Sequence, residues 1–401
     1  MKKLENKVAI VTGGTGSIGR TNAKLFFDER AKVLLVDLNE EALKKAVEEL
    51  GGKGKARDQK EVIIVTGSSG MIGSALIHKL AEKYRVVGFD QDGYPFPPAE
   101  AECVCVDLTS DARMAFAFKR IRYAYGNKIA SVVHLAAYYD FLGKPSELYD
   151  KVTVKGTERL LKYLQDFEVE QFIFSSSMLV YKPSSPGVLI TEESPLEPKW
   201  DYPKSKVTTE KVMHEKRGKI PIVMMRIAGV YSEEGNSIPI TNQVQRIYEK
   251  QISARLYPAN TAHGSTYVHR DDVINAMALA IEKRKDLPQE VILNIGDDET
   301  LTYQELQDII STEIHGKKMP IIAIPKWFAK AGAFMQNLFG KAFIKPWMID
   351  LADDHFEMDS SKAKKLLGWK PKHGLRDTLT KMVENLKADP KKFYQVNNLN
   401  K

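Results

Sequence analysis

Three side-chain types are spaced to move a proton to or from an alcohol. FIFSSS, residues 172–177, is an apolar run ending in the hydroxyls Ser175, Ser176 and Ser177. Further on, WDYPKSK places Tyr202 and Lys206 four apart, and Pro203 suits the first turn of a helix, so both share one helical face. Tyrosine titrates near pH ~10 and is a poor base at neutrality. A neighbouring ammonium favours the phenolate and lowers that value. A strand-end serine can then hold a substrate oxygen in line with the phenol. Such pairs also arise by chance, and a half-buried tyrosine beside a snorkelling lysine is the ordinary alternative.

What must stand beside them is found in a repeat. Residues 7–19 read KVAIVTGGTGSIG and residues 61–73 read EVIIVTGSSGMIG. Each is followed by a helical stretch and a second apolar run ending in an acid, Asp37 or Asp90. Strand, glycine turn, helix, strand and acid form the first half of a dinucleotide-binding βαβ unit. The glycines recur every third residue: Gly13, Gly16 and Gly19, then Gly67, Gly70 and Gly73. They serve the sharp turn, the approach of a pyrophosphate, and close helix–strand packing. A carboxylate at Asp90 would accept ribose hydroxyls and repel a 2′-phosphate, and no arginine follows it, so NAD is expected rather than NADP. The positive nicotinamide ring would favour the Tyr202 phenolate further.

Only the second copy continues. After Asp90 come AECVCVDL, a helix, ASVVHLAA, another helix and EQFIFSSS, enough strands for a doubly wound parallel sheet. The first copy stops after one more helix and a linker, GGKGKARDQK. The expected architecture is α/β: a Rossmann-type doubly wound parallel sheet, a small C-terminal α/β substrate domain and an extra N-terminal βαβ unit. The expected divisions are a partial, non-catalytic unit at 1–57 with a linker to 60, a main body at 61–385 and a tail at 386–401. Within the main body the cofactor core falls mainly in 61–230 and the substrate part mainly in 231–385.

Composition sets the outer bounds. The 401 residues are 43% hydrophobic and 28% charged, ordinary for a globular chain. No run of about 18 apolar residues is present, so no helix spans a membrane. Cys103 and Cys105 alternate with valines, poorly placed for a bridge and without metal spacing, so no metal and a reduced, cytoplasmic setting are expected. The net charge of +7 is spread over the chain and does not indicate nucleic acid.

Taken together, the motifs resemble the extended short-chain dehydrogenase/reductases, also called the NAD-dependent epimerase/dehydratase family. The resemblance covers roughly residues 61–385 and rests on TGSSGMIG, Asp90, VDL at 106–108, HLAA at 134–137, SSSMLVY, YPKSK, RIAGVY at 226–231, YVHRDDV at 267–273 and LLGWKP at 366–371. It implies Ser177, Tyr202 and Lys206 as the catalytic triad, with Tyr202 as acid/base. It implies NAD held by the turn of Gly67, Ser69, Gly70, Met71, Ile72 and Gly73, by Asp90, by Asp107 and Leu108 near the adenine, by Leu135, Ala136 and Ala137 near the ribose, and by Tyr202 and Lys206. Residues 1–57 resemble the opening of a shorter member of the same superfamily.

Departures from that pattern narrow the substrate. Dehydratases carry an acid pair after the catalytic Ser or Thr; here Met178 and Leu179 cannot transfer protons. Many sugar-nucleotide epimerases have asparagine where Gly229 stands, and asparagine also where TVKGT has Thr153, which is expected to keep a polar contact in altered form. YVHRDDV and LLGWKP are read as packing motifs. Residues 317–347 hold six lysines and no acid, with Trp327, Phe328, Ala331, Phe334, Met335, Leu338 and Phe339 at helical spacing. That helix packs on its domain, closes a lid over an apolar substrate, or lies in a membrane interface through 326–347.

The function expected is an NAD-dependent oxidoreductase or epimerase acting on a secondary alcohol or ketone, as a cytoplasmic homodimer that is membrane-peripheral on the third reading of that helix. Its small-molecule substrate is a lipophilic alcohol or ketone, or a nucleotide sugar. The alternatives are a nucleotide-sugar epimerase and a non-enzymatic NAD-binding scaffold.

Overall fold

A continuous apolar run needs cover on both faces, and the chain meets that need in one of its two strand–turn–helix copies. The computed structural model describes residues 3–5, 7–50, 60–91, 98–140, 143–339 and 346–399. The glycine- and lysine-containing linker at 51–59 and the side chains of Met335, Leu338 and Phe339 lie outside the described residues. The chain divides into two compact units, Met1–Lys60 and Glu61–Lys401.

The first unit runs β1 (Val8–Thr12), α1 (Ser17–Asp28), β2 (Lys32–Val36) and α2 (Glu40–Glu49), with β1 and β2 paired in parallel. Val11, Ala23 and Ala46 are buried, whereas Val8 and Ile10 are 69% and 66% exposed. Gly13 has φ +66° and Thr15 N donates to Asp37 Oδ2 at 2.8 Å, so this turn is complete as a local structure.

The second unit opens with β3 (Val62–Thr66), α3 (Met71–Leu80), β4 (Arg85–Asp90), β5 (Glu102–Cys105), α4 (Asp111–Tyr125), β6 (Lys128–Ile129) and β7 (Ser131–His134). It continues through α5 (Lys155–Leu164), β8 (Glu168–Val169), β9 (Phe172–Ser177), α6 (Asp201–Lys216), β10 (Ile222–Ile227), β11 (Gly229–Tyr231) and α7 (Ile238–Tyr248). Then come β12 (Leu256–Tyr257), β13 (Tyr267–His269), α8 (Arg270–Glu282), β14 (Glu290–Ile295), α9 (Tyr303–His315) and β15 (Ile322–Ala323). It ends with α10 (Lys326–Phe339), α11 (Pro346–Asp350), α12 (Ser361–Leu367), α13 (Leu375–Ala388) and α14 (Pro390–Val396).

Seven parallel strands form the sheet in the order β14-β10-β9-β7-β3-β4-β5. The order reverses direction between β3 and β7, the switch point at which such sheets open a cleft. All five residues of β3 are buried, as a central parallel strand requires. One apolar layer puts Ile63, Val65 and Leu76 with Ala276 and Trp369; the other puts Val62, Ile64 and Phe89 with Met114 and Leu160. A third cluster, around Ile240, Ile310, Leu379 and Phe393, is the core of the C-terminal part.

Two boundaries differ from the sequence expectation. Residues 231–385 are not a continuous substrate part: α8 packs on α3, and β14 pairs with β10 from Ile222↔Glu290 to Ile227↔Ile295. Trp369 of the LLGWKP motif is buried and donates to the Asp272 carbonyl at 2.9 Å, a packing role as read. The expected tail carries α14, whose Phe393 and Tyr394 are 4% and 6% exposed. This aromatic pair on one short helix joins the third cluster.

A Cβ on Gly73 would lie 2.1 Å from the Gly67 carbonyl oxygen, a clash with backbone. Gly73→Ala is therefore expected to cost about 1–3 kcal/mol in chemical denaturation. An unchanged midpoint would show that the turn relaxes freely.

Candidate active site

The rim formed by the C-terminal ends of β3, β4, β7 and β9 collects the residues singled out from the sequence. Gly67 turns the chain out of β3 at φ +69°, and a Cβ there would stand 2.9 Å from Ala136 N, just past β7. Gly70 N donates to Gly67 O at 3.1 Å, closing the turn before α3, whose first residues are Met71, Ile72 and Gly73. Asp90 accepts Ser69 N at 2.7 Å and Gln91 N at 2.9 Å, so the acid is fixed beside the turn. Leu135 N and Ala136 N reach Thr66 through its carbonyl and hydroxyl oxygens, at 3.2 Å each. Ala137 follows, half-buried. The bare glycine cradle, the helix N-terminus and the fixed acid suit a dinucleotide pyrophosphate and ribose.

Asp107 and Leu108 follow β5. Asp107 Oδ1 accepts Thr109 N and Oγ1, each at 2.8 Å, capping its own turn. The Leu108 side chain is buried in the core, where a Cβ on Gly156 would touch it at 3.1 Å.

Across the switch point stand the three candidate catalytic groups. Ser177 is the last residue of β9 and is 7% exposed. Its oxygen accepts Leu179 N at 3.2 Å, and it also hydrogen-bonds the Tyr202 phenol. Lys206, one helical turn past Tyr202, is 3% exposed; its ammonium donates to Ser175 O at 2.7 Å and lies 5.6 Å from the Tyr202 ring centroid. Burial pushes the Tyr202 phenol up to about 12, against the Ser177 bond that lowers it. Burial likewise brings Lys206 down to about 7, with Glu210 acting to raise it.

Several positioning residues escaped the sequence reading. Glu210 continues the four-residue stripe of Tyr202 and Lys206 and meets Arg226 of β10 in a buried pair, with N–O distances of 2.7 and 3.1 Å. Ser176 donates to the same carboxylate at 2.5 Å, and Arg226 Nη1 donates to Glu192 O at 3.2 Å. The stripe itself was the available signal, extended by one more step. His134 bridges Thr66 and Thr157 at 2.6 and 2.9 Å, and burial lowers its pKa to about 3, so it stays neutral. Tyr139 and Trp200 approach the Tyr202 ring at 4.8 and 5.4 Å between centroids. Thr153 is wholly buried in a π-helical turn, where its hydroxyl accepts Tyr138 N at 3.0 Å. Its polar contact is therefore made to backbone.

Trp200 and Leu179 also border a cavity of about 650 Å³. Tyr257, Tyr267, Tyr303 and Ile349 form part of its largely apolar wall, and Arg246 is the one arginine or lysine among the described lining residues. Gly229 makes room for this wall, because a Cβ there would stand 2.6 Å from the Tyr267 ring. α10 supplies another side through Phe328, Ala329, Gly332 and Ala333. The His269, Asp272 and His373 side chains lie close enough to one another for a metal, yet are engaged in hydrogen bonds with Glu233 and among themselves.

Residues 63–296 match the model of the NAD dependent epimerase/dehydratase family. The chain belongs to that family. It is an NAD-dependent enzyme family, in agreement with the glycine cradle. Residues 7–59 separately match the short chain dehydrogenase family. A UDP-glucose 4-epimerase from Halalkalibacterium halodurans is 24% identical over 362 residues, covering 84% of this chain and 99% of the relative. Mouse 3 beta-hydroxysteroid dehydrogenase type 7 is 23% identical over 373 residues, covering 82% and 96%. The crystal structure of a UDP-glucose 4-epimerase with UDP-glucose from Thermotoga maritima superposes with TM-score 0.62 at 24% identity, covering 82% of this chain and 100% of that one. No helix among the described residues is long and apolar enough to cross a membrane.

Two measurements probe the site. Glu210→Gln leaves a buried guanidinium without its counter-charge and is expected to lower stability by about 3–5 kcal/mol in urea unfolding. A change below about 1 kcal/mol would mean that α6 is held some other way. Lys206 folds with its pKa lowered from 10.5 to about 7, so below neutral pH the folded state carries the full cost of a buried cation. That cost fades as pH rises from about 7 toward 10.5. Lys206→Met should therefore be more stable than the parent at pH 6, with the advantage shrinking by pH 9.5. A constant difference in melting temperature would contradict it.

Proposed function

We propose that this protein is an NAD-dependent oxidoreductase that interconverts a lipophilic secondary alcohol and its ketone. The observation carrying the substrate class is the apolar cavity, which shares Trp200 and Leu179 with the neighbourhood of Tyr202. Bound NAD supplies the hydride acceptor or donor, and its oxidised ring adds a positive charge that favours the phenolate. Ser177 holds the substrate oxygen. Tyr202 takes the hydroxyl proton in oxidation and returns it in reduction. Lys206, when protonated, stabilises the phenolate and offers its ammonium to the cofactor ribose. Glu210 and Arg226 position the stripe without touching substrate. Should the ketone be retained and reduced from its other face, the same residues perform an epimerisation.

A steroid dehydrogenase among the relatives supports the lipophilic reading. The second reading is a nucleotide-sugar epimerase, favoured by the UDP-glucose 4-epimerases among the relatives and by Arg246 in the cavity wall, where a diphosphate needs a cation. Tyr267 filling the space beside Gly229 argues for the first.

Denaturing purified protein and counting released NAD separates the two cycles. About one equivalent per chain marks an internal redox cycle; an empty protein that binds added NAD reversibly marks a dehydrogenase. Turnover is then screened with sterol-like alcohols and with UDP-sugars. Tyr202→Phe is expected to lower kcat by about 10²–10⁴-fold with NAD binding retained. Activity on UDP-sugars alone would move the assignment to the second reading, and full activity of the Phe variant would remove Tyr202 from the mechanism.

A further inference from the structure

Surface helices turn their large apolar residues inward. Two described residues of α10 depart from this. Trp327 and Phe334, seven apart on one face, are 72% and 60% exposed. The side that lines the cavity carries the small residues Ala329, Gly332 and Ala333 together with Phe328, which is itself 51% exposed. Its anchors are correspondingly slight: Lys330 pairs with Asp350 at 2.5 Å and Lys326 with Asp353 at 2.7 Å, both partly exposed. Pairs of that kind hold weakly. The surrounding stretch 317–347 is basic, with six lysines and no acid; Lys317 and Lys318 at its start are exposed, Lys318 while paired with Asp308 at 2.7 Å. Aromatic rings flanked by lysines on an amphipathic helix match the boundary between anionic headgroups and acyl chains.

We propose that α10 docks on an anionic phospholipid bilayer, with Trp327 and Phe334 seated at the headgroup–acyl boundary, so that the cavity behind it takes its substrate from the lipid. The second half of this statement rests on reading the cavity as the substrate site; the docking does not. The outward rings of Trp327 and Phe334 give the helix its hold on lipid, while Ala329, Gly332 and Ala333 beside Phe328 line the cavity beneath it. The basic flank selects the anionic surface, and added salt weakens that selection.

Full-length protein is floated with phosphatidylcholine vesicles, with and without phosphatidylglycerol. Expected is partitioning onto the anionic vesicles that falls as salt rises. In Trp327→Ser/Phe334→Ser it should drop about tenfold or more, with the melting temperature and NAD content unchanged. The single variant Phe334→Ser gives an intermediate loss should the double variant fold poorly. No flotation of the parent protein, or equal flotation of the double variant, overturns the proposal. So does a parent dimer that the substitutions convert to monomer without any lipid binding, which would assign the face to a second copy. Flotation that depends on Trp327 and Phe334, in a protein inactive on lipophilic alcohols, keeps the docking and discards the substrate reading.

Discussion

Two opposite charges withdrawn from water, Glu210 and Arg226, decide where α6 lies on the sheet. Either charge left there without the other would carry the cost of its burial uncompensated. Together they fix the rotation of the helix against β9 and β10, and Ser176 joins them from the strand that ends in Ser177. Tyr202 and Lys206 stand on the same stripe as Glu210, so the orientation reaches the phenol without further constraint. The rest of the site follows from this clamp: Lys206 meets Ser175 O, Tyr202 meets Ser177, and Trp200 closes on the phenol.

Local spacing carried far. Glycines every third residue, tyrosine and lysine four apart, and hydroxyls ending an apolar run are each set by one turn or one helix face. They needed no knowledge of tertiary structure, and the structure brings them to one rim. What stayed hidden was made by distant segments. Arg226 sat in a quoted motif, but nothing local announced that its partner was Glu210. The cavity gathers residues from Leu179 to Asp354, a set no window along the chain could assemble. β14 escaped its assignment because six mostly apolar residues read alike in a central sheet and in a separate domain. Thr153 kept its polar group, while a π-helical turn directed it to backbone.

The repeat shows how far context governs identical chemistry. Val62 and Ile64 of β3 are 7% and 0% exposed beneath a helical layer, whereas their counterparts Val8 and Ile10 in β1 are 69% and 66% exposed. Strand, turn and helix form in both copies, since their causes are local. Burial of the far face does not, because it needs a second layer that the described residues of the first unit do not supply.

The three small residues on the inner side of α10 also act as a volume dial. Ala329, Gly332 and Ala333 sit on a helix tied down by partly exposed ion pairs, whereas the Tyr202 stripe belongs to α6. Added methyl groups there would shorten the cavity without disturbing α6. A lineage could thus drift between bulky and compact guests through single substitutions while its redox machinery stayed constant.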